Sequence, residues 1–232
     1  MDIKLIVLDI AGTTVHDEDY VNIALQQALF EESISCTREE INTVMGMPKP
    51  VAIKILMEQK VEGKIKISYD YVDKIHVSFQ NKMVIFYQNS PNVKEISGVT
   101  EAFRKLKKQK IKIAIDTGFD RKIADVILKR VGWESNGLID LSITSDEVEN
   151  SRPHPDMIFK AMLLLGIKDA KQVAKVGDTP FDLHEGHSAG CGLNIGVLSG
   201  ATKQEELEKH PHTHIIKSVK YIPELLETIA AS

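Results

Sequence analysis

Four apolar residues in a row, Leu5-Ile6-Val7-Leu8, run without alternation into Asp9 and then into the turn Gly12-Thr13-Thr14. An unbroken apolar run reads as a strand buried on both faces, the habit of parallel sheets covered by helices. Asp9 then stands at the carboxyl end of that strand, where open α/β sheets place their ligands. A carboxylate there, followed by the NH groups of a glycine-containing turn, has the means to attack a phosphoryl group while the turn holds its oxygens. An aspartate that simply opens a turn is the plainer reading. Residues further along the chain decide between them.

After this strand comes a long helical stretch. Residues 17–32 carry Val21, Ala24, Leu25, Ala28 and Leu29 at helical spacing behind an acidic start. No buried-strand pattern occurs over residues 36–88. Thr37 with Glu40 three positions later predicts a helix N-cap, and further helices are predicted over 51–58 and 69–87. Met45-Gly46-Met47-Pro48-Lys49-Pro50 predicts a turn between them, bent away from regular helix by its two prolines. From residue 97 the alternation of strand and helix returns. A helix over 99–108 precedes a strand over 112–116 that ends at Thr117-Gly118, and Asp120 caps a helix running to about Arg130. A weaker strand over 138–143 leads to the loop 149–156 and a helix over 157–165 closed by Gly166. The strand 173–176 meets Gly177-Asp178-Thr179-Pro180-Phe181-Asp182; 194–197 is the last clear strand, and 222–230 closes the chain as a helix. The pattern predicts an α/β fold: a Rossmann-like, doubly wound parallel sheet formed by residues 1–15 and 96–232, with a helical cap inserted at 16–95.

With 232 residues, 43% of them hydrophobic, the chain has material for one good-sized core and a smaller accessory unit. A formal net charge of −4 and the absence of a basic stretch argue against a nucleic-acid partner. No run approaches the roughly 18 apolar residues of a membrane span, and the first apolar run, ending at Asp9, is unlike a signal peptide. Cys36 and Cys191 lack metal-type spacing and read as free thiols of a cytoplasmic protein.

Polar residues sit at the predicted strand ends in a definite order: Asp9, Thr117, Arg152 in a loop, then Asp178 with Asp182. Each alone has an ordinary explanation as a cap, a surface charge or a turn. Together, at one edge of a parallel sheet, they read as a single site. In order, spacing and strand context they resemble the haloacid dehalogenase-like superfamily of hydrolases that work through an aspartyl-phosphate, and the resemblance spans essentially the whole chain. It implies that Asp9 is the nucleophile, that Arg152 offsets charge, and that Thr117 with the NH groups of Gly118, Gly12 and Thr13 holds phosphoryl oxygens. It also implies Mg²⁺ held by Asp9, the Ala11 carbonyl and Asp178, with Asp182 binding directly or through water. Hard oxygen donors suit that ion, which eases the attack of a carboxylate on an anionic phosphorus. The substrate implied is a small phosphorylated or phosphonate compound, and a homodimer is left open.

One position departs from the superfamily's phosphatases. They carry a second aspartate two residues after the nucleophile, the acid that protonates the leaving alkoxide; here it is Ala11. Losing such an acid costs on the order of 10²–10⁴ in rate on a poor leaving group. Asp9-Ile10-Ala11-Gly12-Thr13-Thr14 is similar to the corresponding segment of the phosphonoacetaldehyde hydrolase branch, which breaks a carbon–phosphorus bond. In that branch a cap lysine forms an imine with the aldehyde, and the iminium accepts the electrons as phosphorus departs. Met45-Gly46-Met47-Pro48-Lys49 matches its Met-Gly-x-x-Lys pattern, which implies Lys49 as imine former, with Met45 and Gly46 beside the substrate. Lys54 lacks that spacing. Ala52 replaces a histidine of the branch, and Asp156 is more typical of the general phosphatases. A phosphatase acting on a sugar phosphate or phosphoglycolate, and a weakly active phosphate-binding module, stand as alternatives. His16 and His154 lie near the expected active face, and His184 and His187 read as structural or exposed. The alternating His210, His212 and His214 have no acidic partner pattern and do not read as a metal site.

Overall fold

Six parallel strands form the sheet of the computed structural model, which describes residues 2–60 and 67–231. They are β1 (Leu5–Leu8), β2 (Lys112–Thr117), β3 (Leu141–Thr144), β4 (Val173–Gly177), β5 (Leu193–Val197) and β6 (His214–Ile216), in the spatial order β3-β2-β1-β4-β5-β6. Every residue of β1, β4 and β5 is buried, as strands covered on both faces require, Lys175 in β4 and Asn194 in β5 included. Period-two alternation sends Leu5 and Val7 to one face and Ile6 and Leu8 to the other. On the first face lie α7 (Asp156–Leu165) and the end of α8 (Pro180–Ala189). On the second lie α5 (Val99–Lys108), α6 (Arg121–Val131) and, after the short α9 (Gln204–Leu207), the closing α10 (Ile222–Ala231). The strand order reverses between β1 and β4, the crevice in which a doubly wound sheet binds ligands. Leu8 is in register with Ile115 on one side and Val176 on the other, so Asp9 stands level with Asp116 and Gly177, with Thr117 and Asp178 one residue further along.

Between β1 and α5 the described chain is helical: α1 (Tyr20–Glu31), α2 (Arg38–Asn42), α3 (Lys49–Lys60) and α4 (Tyr69–Asn89). The two crossings into this stretch lie side by side: His16 NH bonds Lys94 O at 3.0 Å, and Ile96 NH bonds Thr14 O at 2.9 Å. The far end of α4 docks on α6, where Arg130 donates to the carbonyls of Tyr87 and Gln88. The apolar core is continuous across this contact, from Phe79 and Tyr87 to Ile123 and Ile127.

Several boundaries differ from the sequence reading for local reasons. The first helix starts at Tyr20 rather than 17, because Glu18 and Asp19 are left-handed (φ 49 and 65) and the Asp17 carboxylate instead accepts the Val21 NH at 3.2 Å. The helix expected at 51–58 starts at Lys49. Pro50 falls in its first turn, where a missing NH costs nothing, and Ala52 NH reaches Pro48 O at 3.0 Å, so the expected bend does not occur. The third strand begins at Leu141, not 138, since Leu138 NH turns back to Trp133 O and the Asp140 carboxylate anchors Ile113 NH. β6 was not expected. It is a half-buried three-residue edge strand, too short to show an apolar run. Among the described residues no helix is long and apolar enough to cross a membrane. Both cysteines are buried and free.

Candidate active site

The turn after β1 is wound tightly: the NH groups of Thr13, Thr14 and Val15 all point to Ile10 O, at 3.3, 2.9 and 2.8 Å. This brings Gly12 so close to the next strand's loop that a Cβ there would fall 2.7 Å from Asp178 Oδ2. Thr13 lies behind the cavity wall and donates its hydroxyl to Asp178 Oδ1 at 2.9 Å; Ala201 NH holds the other oxygen at 2.8 Å. Asp178 is therefore clamped from two sides. Asp182 sits one turn into α8, in a reciprocal capping box with Thr179.

Arg152 ties the strand ends together. Its NH1 lies 2.7 Å from Asp9 and 2.9 Å from Asp182, its Nε donates to Glu185 at 2.9 Å, and its NH2 bonds both the carbonyl and the carboxylate of Asp116. Thr117 is almost fully buried, and its oxygen accepts Phe119 NH at 3.2 Å, leaving the hydroxyl proton free to donate. Residues of the helical insert close the opposite side. Gly46 has φ +89, and a Cβ there would lie 2.5 Å from Thr179 Oγ1; a Cβ on Gly118 would lie 3.0 Å from Gly46 O. Lys49, at the start of α3, is only 4% exposed, with its ammonium 5.9 Å from the Phe79 ring centre and 5.8 Å from that of Phe119. Its one hydrogen bond among the described residues is a long one, 3.4 Å to Met47 O, and none of those residues gives it a carboxylate partner.

These groups surround a cavity of ≈ 370 Å³. On its wall are Asp9, Ala11, Gly12, Met45, Gly46, Lys49, Thr117, Gly118, Arg152 and Asp178 from the sequence reading, together with Asp17, which that reading passed over. Asp182 and Thr13 stand behind the wall. His16 is on it; His154 is exposed and off it. His184 and His210 pair with each other at 3.1 Å, away from the cavity. Asp156 braces the loop before α7 by accepting Asn150 NH at 3.1 Å.

Burial shapes the charges. It pushes the Lys49 ammonium down to about 8, against the pull of Asp9 and Asp17. It raises Asp17 to about 6 and, against Arg152, Asp9 to about 6. Asp178 is held well above the usual carboxylate range by burial beside Asp9 and Asp182. Carboxylate oxygens of Asp9, Asp178 and Asp182 lie within 4.8 Å of one another. Three buried carboxylates this close together repel one another, and an all-oxygen donor set of this kind fits Mg²⁺. A second acidic trio, Asp116, Asp182 and Glu185, meets the same distance condition, but the Lys175 ammonium occupies its centre, 3.0 Å from Glu185, 3.2 Å from Asp182 and hydrogen-bonded to Asp116. Burial would raise Asp116, but Arg152 and Lys175 outweigh it and pull it to about 2. In sequence, Lys175 reads as a strand residue. A lysine inside the apolar run Val173-Ala174-Lys175-Val176 was the available signal, since a buried ammonium requires buried acids around it.

A model of the haloacid dehalogenase-like hydrolases matches residues 6–195. A phosphonoacetaldehyde hydrolase from Bacillus cereus is 27% identical over 96% of this chain and 87% of its own. One from Parabacteroides distasonis is 33% identical over 89% of this chain and 81% of its own. The crystal structure of a phosphonoacetaldehyde hydrolase-like protein from Oleispira antarctica superposes with a TM-score of 0.83 at 22% identity, covering 100% of this chain and 94% of that one.

Proposed function

The chain belongs to the haloacid dehalogenase-like hydrolases, and from that premise we propose that it cleaves the carbon–phosphorus bond of phosphonoacetaldehyde or a related small phosphonate, with Asp9 as the group that receives phosphorus. One observation carries the reading. Lys49 is buried on the cavity wall without an acidic partner among the described residues, across from a nucleophile whose usual companion acid is Ala11. Relatives over nearly the whole chain carry the name phosphonoacetaldehyde hydrolase, which supports the same substrate class.

The chemistry follows from what the residues supply. An amine with a pKa near 8 has a usable neutral fraction at pH 7, so the Lys49 nitrogen can add to an aldehyde and lose water to give an iminium. Asp9 then attacks phosphorus, and the C–P electron pair moves into the iminium. No alkoxide leaves, so no acid is needed at Ala11. Arg152 and the Thr117 hydroxyl, with Gly118 NH, face the transferring group and offset its charge. Bound Mg²⁺, held by Asp9, Asp178, the Ala11 carbonyl and Asp182, would neutralise part of the repulsion between carboxylate and phosphonate. The enamine left on Lys49 takes a proton at carbon and is hydrolysed to release acetaldehyde, and water hydrolyses the acyl phosphate. We further assign residues 1–15 and 96–232 to a core and 16–95 to a cap that opens for substrate entry at the paired crossings near Val15 and Glu95.

The test incubates the protein and Lys49→Ala with Mg²⁺ and phosphonoacetaldehyde, beside a panel of phosphomonoesters, and reads phosphate release and borohydride trapping. Phosphonate cleavage that vanishes in Lys49→Ala, with a trapped lysine adduct, is the expected result. An inert phosphonate alongside rapid turnover of a sugar phosphate or phosphoglycolate would replace this reading with a phosphatase.

A further inference from the structure

Imine formation needs more than an amine. Attack of the Lys49 nitrogen on an aldehyde leaves two protons on nitrogen and negative charge on oxygen, and that oxygen departs as water only after taking up two protons. A group that moves protons must therefore face Lys49 within the cavity. On its own helix the position one turn on is Ala52, and the rings beside the ammonium are Phe79 and Phe119, none of which transfers a proton. Among the described residues, Lys49 feels the charge of Asp9, Asp17 and Arg152. Asp9 is engaged with phosphorus, and a guanidinium does not give up its proton. Asp17 remains.

Asp17 is half-buried on the cavity wall. It follows the crossing from the core and precedes two consecutive left-handed residues, Glu18 and Asp19, after which α1 begins. One carboxylate oxygen accepts Val21 NH at 3.2 Å, which fixes the side chain; the other has no hydrogen-bond partner among the described residues, and Asp17 lines the same wall as Lys49. The two form no ion pair with each other, and both line the cavity of ≈ 370 Å³. The charged and titratable groups around Asp17 are His16, Glu18 and Asp19 in its loop, Arg38 on α2, which pairs with Asp19 at 3.0 Å, Lys49 on α3, Tyr87 on α4 and Asp9 after β1.

We propose that Asp17 is the proton shuttle of the imine step, a role that rests on Lys49 being the imine former. Asp17 carries one proton from the adduct nitrogen to the carbonyl-derived oxygen. A second proton, drawn from solvent through Asp17, lets that hydroxyl leave as water while the nitrogen lone pair closes the C=N bond and the charge ends on the iminium. Burial raises Asp17 to about 6, near the pH at which a carboxyl both takes and gives protons in neutral solution.

The experiment follows the rate of borohydride-trapped adduct on the full chain with phosphonoacetaldehyde, for wild type, Asp17→Asn and Asp17→Glu, with a thermal melt of each. Asp17→Asn keeps an oxygen for Val21 NH and removes the proton transfer. Its trapping rate is expected to fall by about 10² or more, with Asp17→Glu recovering part of the loss and both variants melting as cooperatively as wild type. Wild-type trapping in Asp17→Asn would overturn the shuttle while leaving Lys49 as imine former. A loss that tracks unfolding and is not recovered by Asp17→Glu would overturn it too. A wild type that traps nothing removes the imine reading itself, and this role with it.

Discussion

Lys49 shows how a single side chain sets a cost and a capability together. Burial holds its pKa at about 8 against an ordinary 10.5, so between those values the unfolded chain binds more protons than the folded one, and stability rises with pH across that window. Below pH 8 the fold carries the whole penalty, at most about 3 kcal/mol by the usual conversion of pKa into free energy. Lys49→Met is therefore expected to raise the urea midpoint at pH 7 and to abolish the alkaline gain, with the two proteins converging near pH 10.5. Equal stabilities at pH 7 would mean that the ammonium is solvated and not held in an apolar pocket. The residues proposed for catalysis were legible at this scale where they stood at the end of a recognisable element: Asp9 after an apolar run, Thr117 before a glycine, Asp178 after another run. Asp17 was not, since in sequence Asp17-Glu18-Asp19 looks like the solvated start of a helix. The left-handed backbone at Glu18 and Asp19 delays the helix, and all three acids line the cavity. The same holds for Lys175, Asp116 and Glu185, whose mutual contacts join β2, β4 and α8 across long stretches of chain.

At the level of elements, the turn between α2 and α3 delivers Lys49, and its fit against the core rests on Gly46. A left-handed residue there and a Cβ that would strike Thr179 are separate obstacles. Gly166, the C-cap of α7, has φ +72 with no described atom within 4 Å of the place a methyl group would take, so it isolates the first obstacle from the second. Gly166→Ala is expected to lose about 1 kcal/mol of stability and keep its activity. Gly46→Ala is expected to lose a similar amount of stability and, in addition, about tenfold or more in kcat/KM, because the turn must lift from Thr179 and take Lys49 with it. Steady-state kinetics and melts on both variants check this; equal kinetic losses would show that backbone strain alone, not closure, is at work. The sequence marked this turn by its Met-Gly and proline residues but misjudged its consequence. Prolines read as bending a helix instead begin one, since the penalty depends on which turn they occupy.

For the molecule as a whole, the parallel sheet was legible because strands buried on two faces cannot hide in a sequence, whereas the edge strand β6 and the exact start of β3 depend on neighbours that the local pattern does not reveal. The same sheet order has an energetic consequence. Reversal between β1 and β4 brings Asp9 and Asp178 together with Asp182 behind them; Arg152 joins Asp9 and Asp182, while Asp178 has no cationic partner among the described residues and costs stability unless a further cation joins it. Ligand binding to the folded state alone adds RT ln(1 + [L]/Kd), about 2.7 kcal/mol at a hundred times Kd, and each kcal/mol moves the melting temperature of a chain of this size by roughly 2–4 °C. Saturating Mg²⁺ is thus expected to raise Tm by about 5–10 °C over the chelated protein. In Asp178→Asn one of the mutually repelling carboxylates is gone, so the metal-free variant is expected to melt above metal-free wild type while showing little response to Mg²⁺ and no turnover. A Tm indifferent to Mg²⁺ in the wild type would mean that Arg152 and Lys175 alone balance the acidic strand ends, and that the cation is not part of what the sheet was arranged to hold.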